Sequence, residues 1–293
     1  MRDLLKKLYE GTISLLETIV SLIMVLLFSS FKAARGTSKL KDFGKRKDAY
    51  VLANGPALKG IVDKYLEQLK GKDCIVLNFF GNTDVFWLLK PKFYVLLDPA
   101  FFGGEGHAIF KEPTVKLIDN FKKVDWNMTL FVPAAKGAKK NVEGRIQNGR
   151  INVVPFNATR IVGIKRFRNF MYKHNMGLPS TKNVLFPAMM RMLNMGYDHV
   201  YLYGAEFSWV KTYNVDPENG KIYTDDVHFY GNDRIYYDKG RFCFDMGCLH
   251  EALLCTYMIQ DYAEYIGRPI INRTVGSFID AFPYENPDKV GVL

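Results

Sequence analysis

Tyr50-Val51-Leu52-Ala53-Asn54-Gly55-Pro56-Ala57-Leu58 decides the fold. An apolar run ends in an Asn-Gly-Pro turn, and a helical pattern over 58–69 starts at once. Strand, tight turn, helix is the opening half of a βαβ unit, and the same alternation repeats outward from it. Further apolar runs occupy 74–80, 93–98, 129–132, 151–156, 199–203 and 270–271, and helical patterns cover 115–123, 160–172, 184–195 and 246–265. Continuous apolar strands between helices predict an α/β fold: a Rossmann-like, mostly parallel sheet with helices on both faces. Ligands of such sheets bind at the carboxyl ends of the strands, so the residues just after each strand carry the functional reading.

The chain has 293 residues and 48% hydrophobic content, enough for a core that needs no disulfide or metal. The formal charge of +10 is concentrated at one end, since residues 1–47 hold ten Lys or Arg against four acids and so carry +6. That placement points to an anionic membrane surface and away from nucleic acid. The cysteines Cys74, Cys243, Cys248 and Cys255 form no C-x-x-C pair, and reduced thiols are expected, with Cys74 in the core.

Residues 13–31 are apolar apart from Glu17 and are flanked by basic residues, three before and seven in 32–47. At about 1.5 Å per residue this stretch just matches a hydrocarbon core of about 30 Å. A span would leave the carboxy-terminal part in the cytoplasm, while a helix lying in the interface fits Glu17 and the basic flanks as well. A core helix and a cleaved leader are the other readings. Residues 32–48 read as a basic linker on anionic headgroups. The expected organisation is a membrane-associated helix with its linker over 1–47, then a nucleotide-sugar domain over 48–293.

Several strand ends are polar. Asn54, Gly55, Pro56 and Ala57 lead into a helix whose free amides favour an anion. Asn78 stands near the end of the second strand, and Asp98-Pro99 closes the third. The strand at 199–203 runs into Gly204, Glu206, Ser208 and Trp209: a close-approach glycine, a carboxylate able to hold two hydroxyls, and a polar-aromatic pair. Asn183 opens a helix as an anion grip or a plain cap. Arg191, among methionines at helical spacing, reads as part of a packed helix.

His228, in the polar stretch Thr224-Asp225-Asp226-Val227-His228-Phe229-Tyr230-Gly231, is the candidate general base on a lid-like loop. His107 is a second candidate, with His174, His199 and His250 weaker. Tyr213, Tyr223 and Tyr230 are possible donors to phosphate oxygens. The chain contains no G-x-x-x-x-G-K-[ST], no G-x-G-x-x-G at the first turn and no D-x-D, so P-loop hydrolysis, dinucleotide redox chemistry and a metal-clamped diphosphate lose their support.

The order Ala53-Asn54-Gly55-Pro56-Ala57-Leu58, Asn78, Asp98-Pro99, then Gly196-Tyr197 through Val200-Tyr201-Leu202 to Gly204 and Glu206 resembles the bacterial sialyltransferases of glycosyltransferase family forty-two and their relatives in polysaccharide gene clusters. The resemblance implies a CMP-activated donor, no metal or other cofactor, inversion by direct displacement, and a lid histidine as base. Carried across, Asn54, Gly55 and Asn78 face the donor phosphate and sugar, Gly204 and Glu206 face the cytidine ribose, and His228 is the base. The family's N-G-P-S serine is Ala57 here, the asparagine of its N-P is Asp98, and its Thr-Ser-Gly is replaced near 181–184. These departures widen the donor to Kdo or another acidic sugar, and His228 aligns with the family's base only across a gap. The expectation is a metal-independent enzyme on the cytoplasmic face of the bacterial inner membrane, acting on a glycan or lipid-linked glycan for capsule or lipopolysaccharide, with oligomers possible. A pterin diphosphokinase using ATP and magnesium, and a non-catalytic glycan- or nucleotide-binding module, are the competing functions.

Overall fold

The computed structural model describes residues 1–102, 111–228 and 231–291, with the side chains of Arg2 and 225–234 also outside the description. Seven parallel strands make the main sheet: β1 (Asp48–Leu52), β2 (Asp73–Leu77), β3 (Phe93–Val95), β4 (Met128–Pro133), β5 (Ile151–Phe156), β6 (His199–Tyr203) and β10 (Ile270–Asn272). Their spatial order is β10-β6-β1-β2-β3-β4-β5. The chain therefore winds outward from β1 to β5 and then returns to lay β6 on the other side of β1. That reversal is a topological switch point, where the carboxyl ends of β1 and β6 open a crevice.

The period of two along each strand divides the core between the faces. On β1, Ala49 and Val51 point to one face while Tyr50 and Leu52 point to the other. The second face is covered by α3 (Ala57–Leu69), α4 (Asp84–Leu89), α5 (Lys111–Lys122) and α6 (Ala138–Ile146). The first is covered by α2 (Phe31–Ser38), α7 (Lys165–Lys173), α8 (Leu185–Asn194) and the carboxy-terminal half of α9 (Arg241–Ile266). A last turn, α10 (Pro287–Val290), is capped by the Asn286 side chain.

The amino-terminal helix α1 runs over Arg2–Phe28, eleven residues further towards the N-terminus than the apolar run at 13–31 suggested. Its second half is tied to the body through hydroxyl groups. Ser21 Oγ donates to the Val162 carbonyl at 3.2 Å and accepts from Val162 N–H at 2.9 Å, and Thr18 Oγ1 accepts from Ile164 N–H at 2.9 Å. Ser29 Oγ donates to Met176 O at 2.7 Å. Gly163 permits the approach: its φ is +96°, and a Cβ there would overlap Thr18 Oγ1 and stand 2.6 Å from Thr18 N.

The expected linker at 32–48 is corrected. α2 buries Ala33, Ala34 and Thr37 against the body, and Asn157 Nδ2 donates to Ser30 O at 3.0 Å. Alanine and threonine at a helical spacing gave this short stretch a buried face that its seven positive charges concealed. Hydrogen bonds thus cross the boundary drawn at residue 47.

Other corrections are local. The helix read over 160–172 begins at Lys165, because 159–164 is extended and packs on α1, and α4 and α6 were missed as short helices. The described residues of the lid-like stretch do not form a loop. They belong to a three-stranded antiparallel sheet of β7 (Tyr213–Val215), β8 (Ile222–His228) and β9 (Gly231–Tyr236).

Every residue of α8 is buried, including Arg191, whose three guanidinium nitrogens find no hydrogen-bond partner among the described residues. Phe156 lies under it at 5.7 Å, and burial lowers its pKa to about 10. A charge held dry in this way opposes folding. Arg191→Met, matching its neighbours Met189, Met190 and Met192, is expected to raise stability by roughly 1–4 kcal/mol in urea unfolding; a loss of that size would reveal a partner for the guanidinium.

Cys74 is buried as expected, and burial pushes its thiol up to about 12 and that of Cys255 to about 11. Thiolate is the reactive form, and both groups are also shielded. A native titration with a disulfide reagent at pH 8 is therefore expected to count Cys243 and Cys248 quickly and to reach Cys74 and Cys255 only on unfolding.

Candidate functional site

The carboxyl ends of β6, β1, β2 and β3 lie side by side, which brings Gly204 and Glu206, 54–57, Asn78 and Asp98 onto one rim. Backbone pairing of β1 and β6 continues past the strands: Ala53 N–H donates to Tyr203 O at 2.8 Å and Gly55 N–H to Gly204 O at 2.9 Å. Neither glycine tolerates a side chain. A Cβ on Gly55 would overlap the Glu206 carboxylate, and one on Gly204, whose φ is +70°, would stand 2.7 Å from Ala53 O.

Glu206 is only 7% exposed, and its Oε1 accepts a short hydrogen bond from Ala57 N–H at the first turn of α3. The Ala57 amide and the positive dipole end of that helix meet the carboxylate, in place of a lysine or arginine, none of which pairs with it among the described residues. The helix end expected to receive a ligand anion is thus held by the chain's own carboxylate. Glu206 Oε1 is engaged inward and is not presented as a free acceptor.

The neighbouring polar groups are placed by the same kind of local bond. Asn54 is exposed, and its Nδ2 donates to Leu77 O at 3.1 Å, closing the turn onto β2. Asn78 takes a positive φ of 40°, accepts from Leu97 N–H at 3.3 Å, and is braced by the Tyr94 hydroxyl on its carbonyl. Asp98 accepts from Ala100 N–H at 2.8 Å and starts a 3-10 turn at Pro99. Pro56 is exposed, and Gly55 and Ala57 are half-buried. Asn183, one residue before the N-cap Val184, accepts from Leu185 N–H at 2.9 Å and so satisfies the first amide of α8. Ser208 opens a short 3-10 helix after Phe207, another non-glycine residue at positive φ (52°), and Trp209 beside it is 39% exposed.

The loop after β10 was not read from the sequence, although it obeys the same strand-end rule. Thr274 Oγ1 accepts from Ala205 N–H at 3.2 Å, Ser277 Oγ donates to Ala205 O at 2.7 Å, and Phe278 N–H donates to Glu206 O at 2.7 Å. These three bonds hold the 205–206 backbone from behind.

The small β7–β9 sheet leaves the main body at the β6 end of the rim. Tyr213 Oη donates to Asp245 Oδ2 at 2.7 Å, and Asp245 is also paired with Arg241 Nε at 3.0 Å. Burial, helped by the Asp245 carboxylate, raises the Tyr213 pKa, so this hydroxyl stays protonated and committed to Asp245. It is not a free phosphate donor. The ring of Tyr223 packs against Tyr236 at 5.7 Å. The backbone of His228 ends β8, paired with Gly231, while its side chain, together with Tyr230 and His107, lies outside the described residues.

Of the weaker histidines, His199 begins β6 at the amino end of the strands, with Nδ1 2.8 Å from Asp48 Oδ1; His174 packs on Phe170; His250 is exposed on α9. Among the described residues no group of three or more His, Cys, Asp or Glu is placed to hold a metal ion. No family model, curated protein or solved structure matches this chain.

Removing the Glu206 carboxylate leaves the Ala57 N–H unpaired. Glu206→Ala is expected to cost about 1–3 kcal/mol in denaturant unfolding, whereas Glu206→Gln, which keeps a carbonyl acceptor for that N–H, loses less.

Proposed function

We propose that the protein is a membrane-associated glycosyltransferase that moves an acidic sugar from a CMP-activated donor to a glycan or lipid-linked glycan acceptor at the cytoplasmic face of a bacterial inner membrane. The observation that carries the reading is the convergence of Asn54, Gly55, Asn78, Asp98, Gly204 and Glu206 on adjacent strand ends at the switch point between β1 and β6. Open α/β sheets bind nucleotides in that crevice.

The chemistry assigned to the rim follows from what each group offers. The exposed Asn54 amide and the half-buried Asn78 and Asp98 side chains can meet hydroxyls and a polar head of the donor. The Glu206 carboxylate already lies on the α3 amides, so the donor phosphate in this reading sits over the Asn54 side of the turn, and Glu206 serves the ribose only through its second oxygen. His228, on the hairpin of the small sheet, takes the acceptor hydroxyl's proton as that oxygen attacks the anomeric carbon and CMP leaves with the bonding electron pair. A hairpin in place of a loop suits this task, because its ladder holds the base in a fixed register.

A thermal-shift titration with CMP, UMP, GDP and ATP, each with and without magnesium, tests the donor class, since a ligand of the native state raises its apparent stability. The expected outcome is a metal-independent shift with CMP. A shift with ATP and magnesium alone would replace the transferase with a diphosphokinase. His228→Asn is expected to keep the CMP shift and lose turnover by at least about a hundredfold; unchanged turnover rejects His228 as base.

A further inference from the structure

We infer that α1 lies in the plane of an anionic membrane surface, with one apolar face in the lipid and its opposite face carrying the folded body, and does not cross the bilayer. The inference rests on the reading of α1 as the membrane-bound element, and it chooses between two placements that the apolar run at 13–31 leaves open.

The polar positions are the first argument. Asp3, Lys7, Glu10, Ser14, Thr18 and Ser21 follow one another at steps of three or four residues, which at 3.6 residues per turn is a single stripe down the whole helix; Thr12 lies on the opposite face, where its hydroxyl donates to Leu8 O at 2.9 Å. The opposite side carries Leu5, Leu8, Ile19, Ile23, Leu26 and Leu27, all 48–71% exposed. A helix built to span has no need of a stripe that continues from one end to the other, whereas an interfacial helix requires one.

The second argument is what the stripe touches. From Thr18 to Ser29 it lies against the extended segment 159–164 and Met176, so the body accompanies the most apolar part of the helix at the same level. Placing 13–28 across the hydrocarbon would carry Arg160, Arg168 and Asp261 in with it; Arg160 stands 3.7 Å from Glu251, and Arg168 forms a close ion pair with Asp261. Charges at that depth cost several kcal/mol each. In the in-plane placement they stay in water above the headgroups.

Charge complementarity names the partner. The exposed Phe28 and Phe31 at the helix end are followed at once by exposed Lys32 and Arg35. Aromatic and aliphatic groups edged by cations fit the boundary between acyl chains and anionic headgroups.

Differential quenching by brominated acyl chains tests the placement. Single tryptophans replace Leu5, Leu8, Ile19, Ile23 or Leu26 on one face, and Lys7 or Glu10 on the other, in a full chain whose Trp87, Trp126 and Trp209 are changed to Phe, on phosphatidylglycerol vesicles. Leu5 and Leu26 lie about 32 Å apart along the axis. The expected result is strong quenching, equal within about twofold, at all five apolar positions by bromine near the headgroup end of the chains, and little at Lys7→Trp and Glu10→Trp. A depth that changes steadily with residue number means a span and overturns the inference, as does absence of quenching at every position. Lys32→Ala with Arg35→Ala is expected to weaken partitioning onto these vesicles about thirtyfold, and unchanged partitioning overturns the anionic component. The CMP titration reads the rim and the quenching reads α1, so failure of either is seen separately.

Discussion

The hydrogen bond from Ala57 N–H to the Glu206 carboxylate joins residues 149 positions apart across the switch point. It depends on two glycines, since Gly55 leaves room for the carboxylate and Gly204 lets the β6 end close on Ala53. With that contact made, the first turn of α3 is satisfied, β1 and β6 are locked in register beyond their last strand residues, and the polar rim acquires a fixed floor. Asn54 and Asn78 are then each held by a bond to a neighbouring strand end, and Asp98 by the Ala100 N–H of its own turn. A buried carboxylate on a helix amino terminus is stable without a cationic partner because oriented amides supply the compensating charge and no reorganisation is needed.

The same economy of partners recurs where α1 meets the body. Segment 159–164 is extended and has no neighbouring strand on that side, so its free amides at Val162 and Ile164 require acceptors. Serine and threonine hydroxyls on one stripe of α1 provide them, and Gly163 provides the clearance. The amino-terminal helix is thereby part of the fold, and which of its sides stays exposed is set by which residues are consumed in docking. At the rim and at α1, polar groups that appear in sequence to await a ligand or solvent are spent on satisfying backbone.

Much of the architecture was legible beforehand because it follows from local periodicity. Seven apolar runs became the seven strands of the main sheet, and the rule that binding residues follow strand ends selected 54–57, Asn78, Asp98 and 204–208, which do share one edge. Elements that escaped were those whose stabilisation is not local. α2 hides its buried alanines under a basic stretch, the β7–β9 sheet mixes polar with apolar residues and owes its form to cross-strand pairing, and the Thr274–Ser277 loop matters only because β10 lies beside β6.

The sequence by itself determined the fold class, the position of β1 at the start of the alternation, the apolar character of the amino-terminal helix and the set of polar strand ends, because each depends on hydrophobic period and turn chemistry within a few residues. The tertiary structure alone decided that Glu206 turns inward onto α3, that Tyr213 belongs to Asp245, and that the Thr18 and Ser21 hydroxyls of α1 face the body. Those outcomes are set by contacts between residues far apart in the chain, where the partner that satisfies a buried amide or hydroxyl is chosen by geometry that no local pattern encodes.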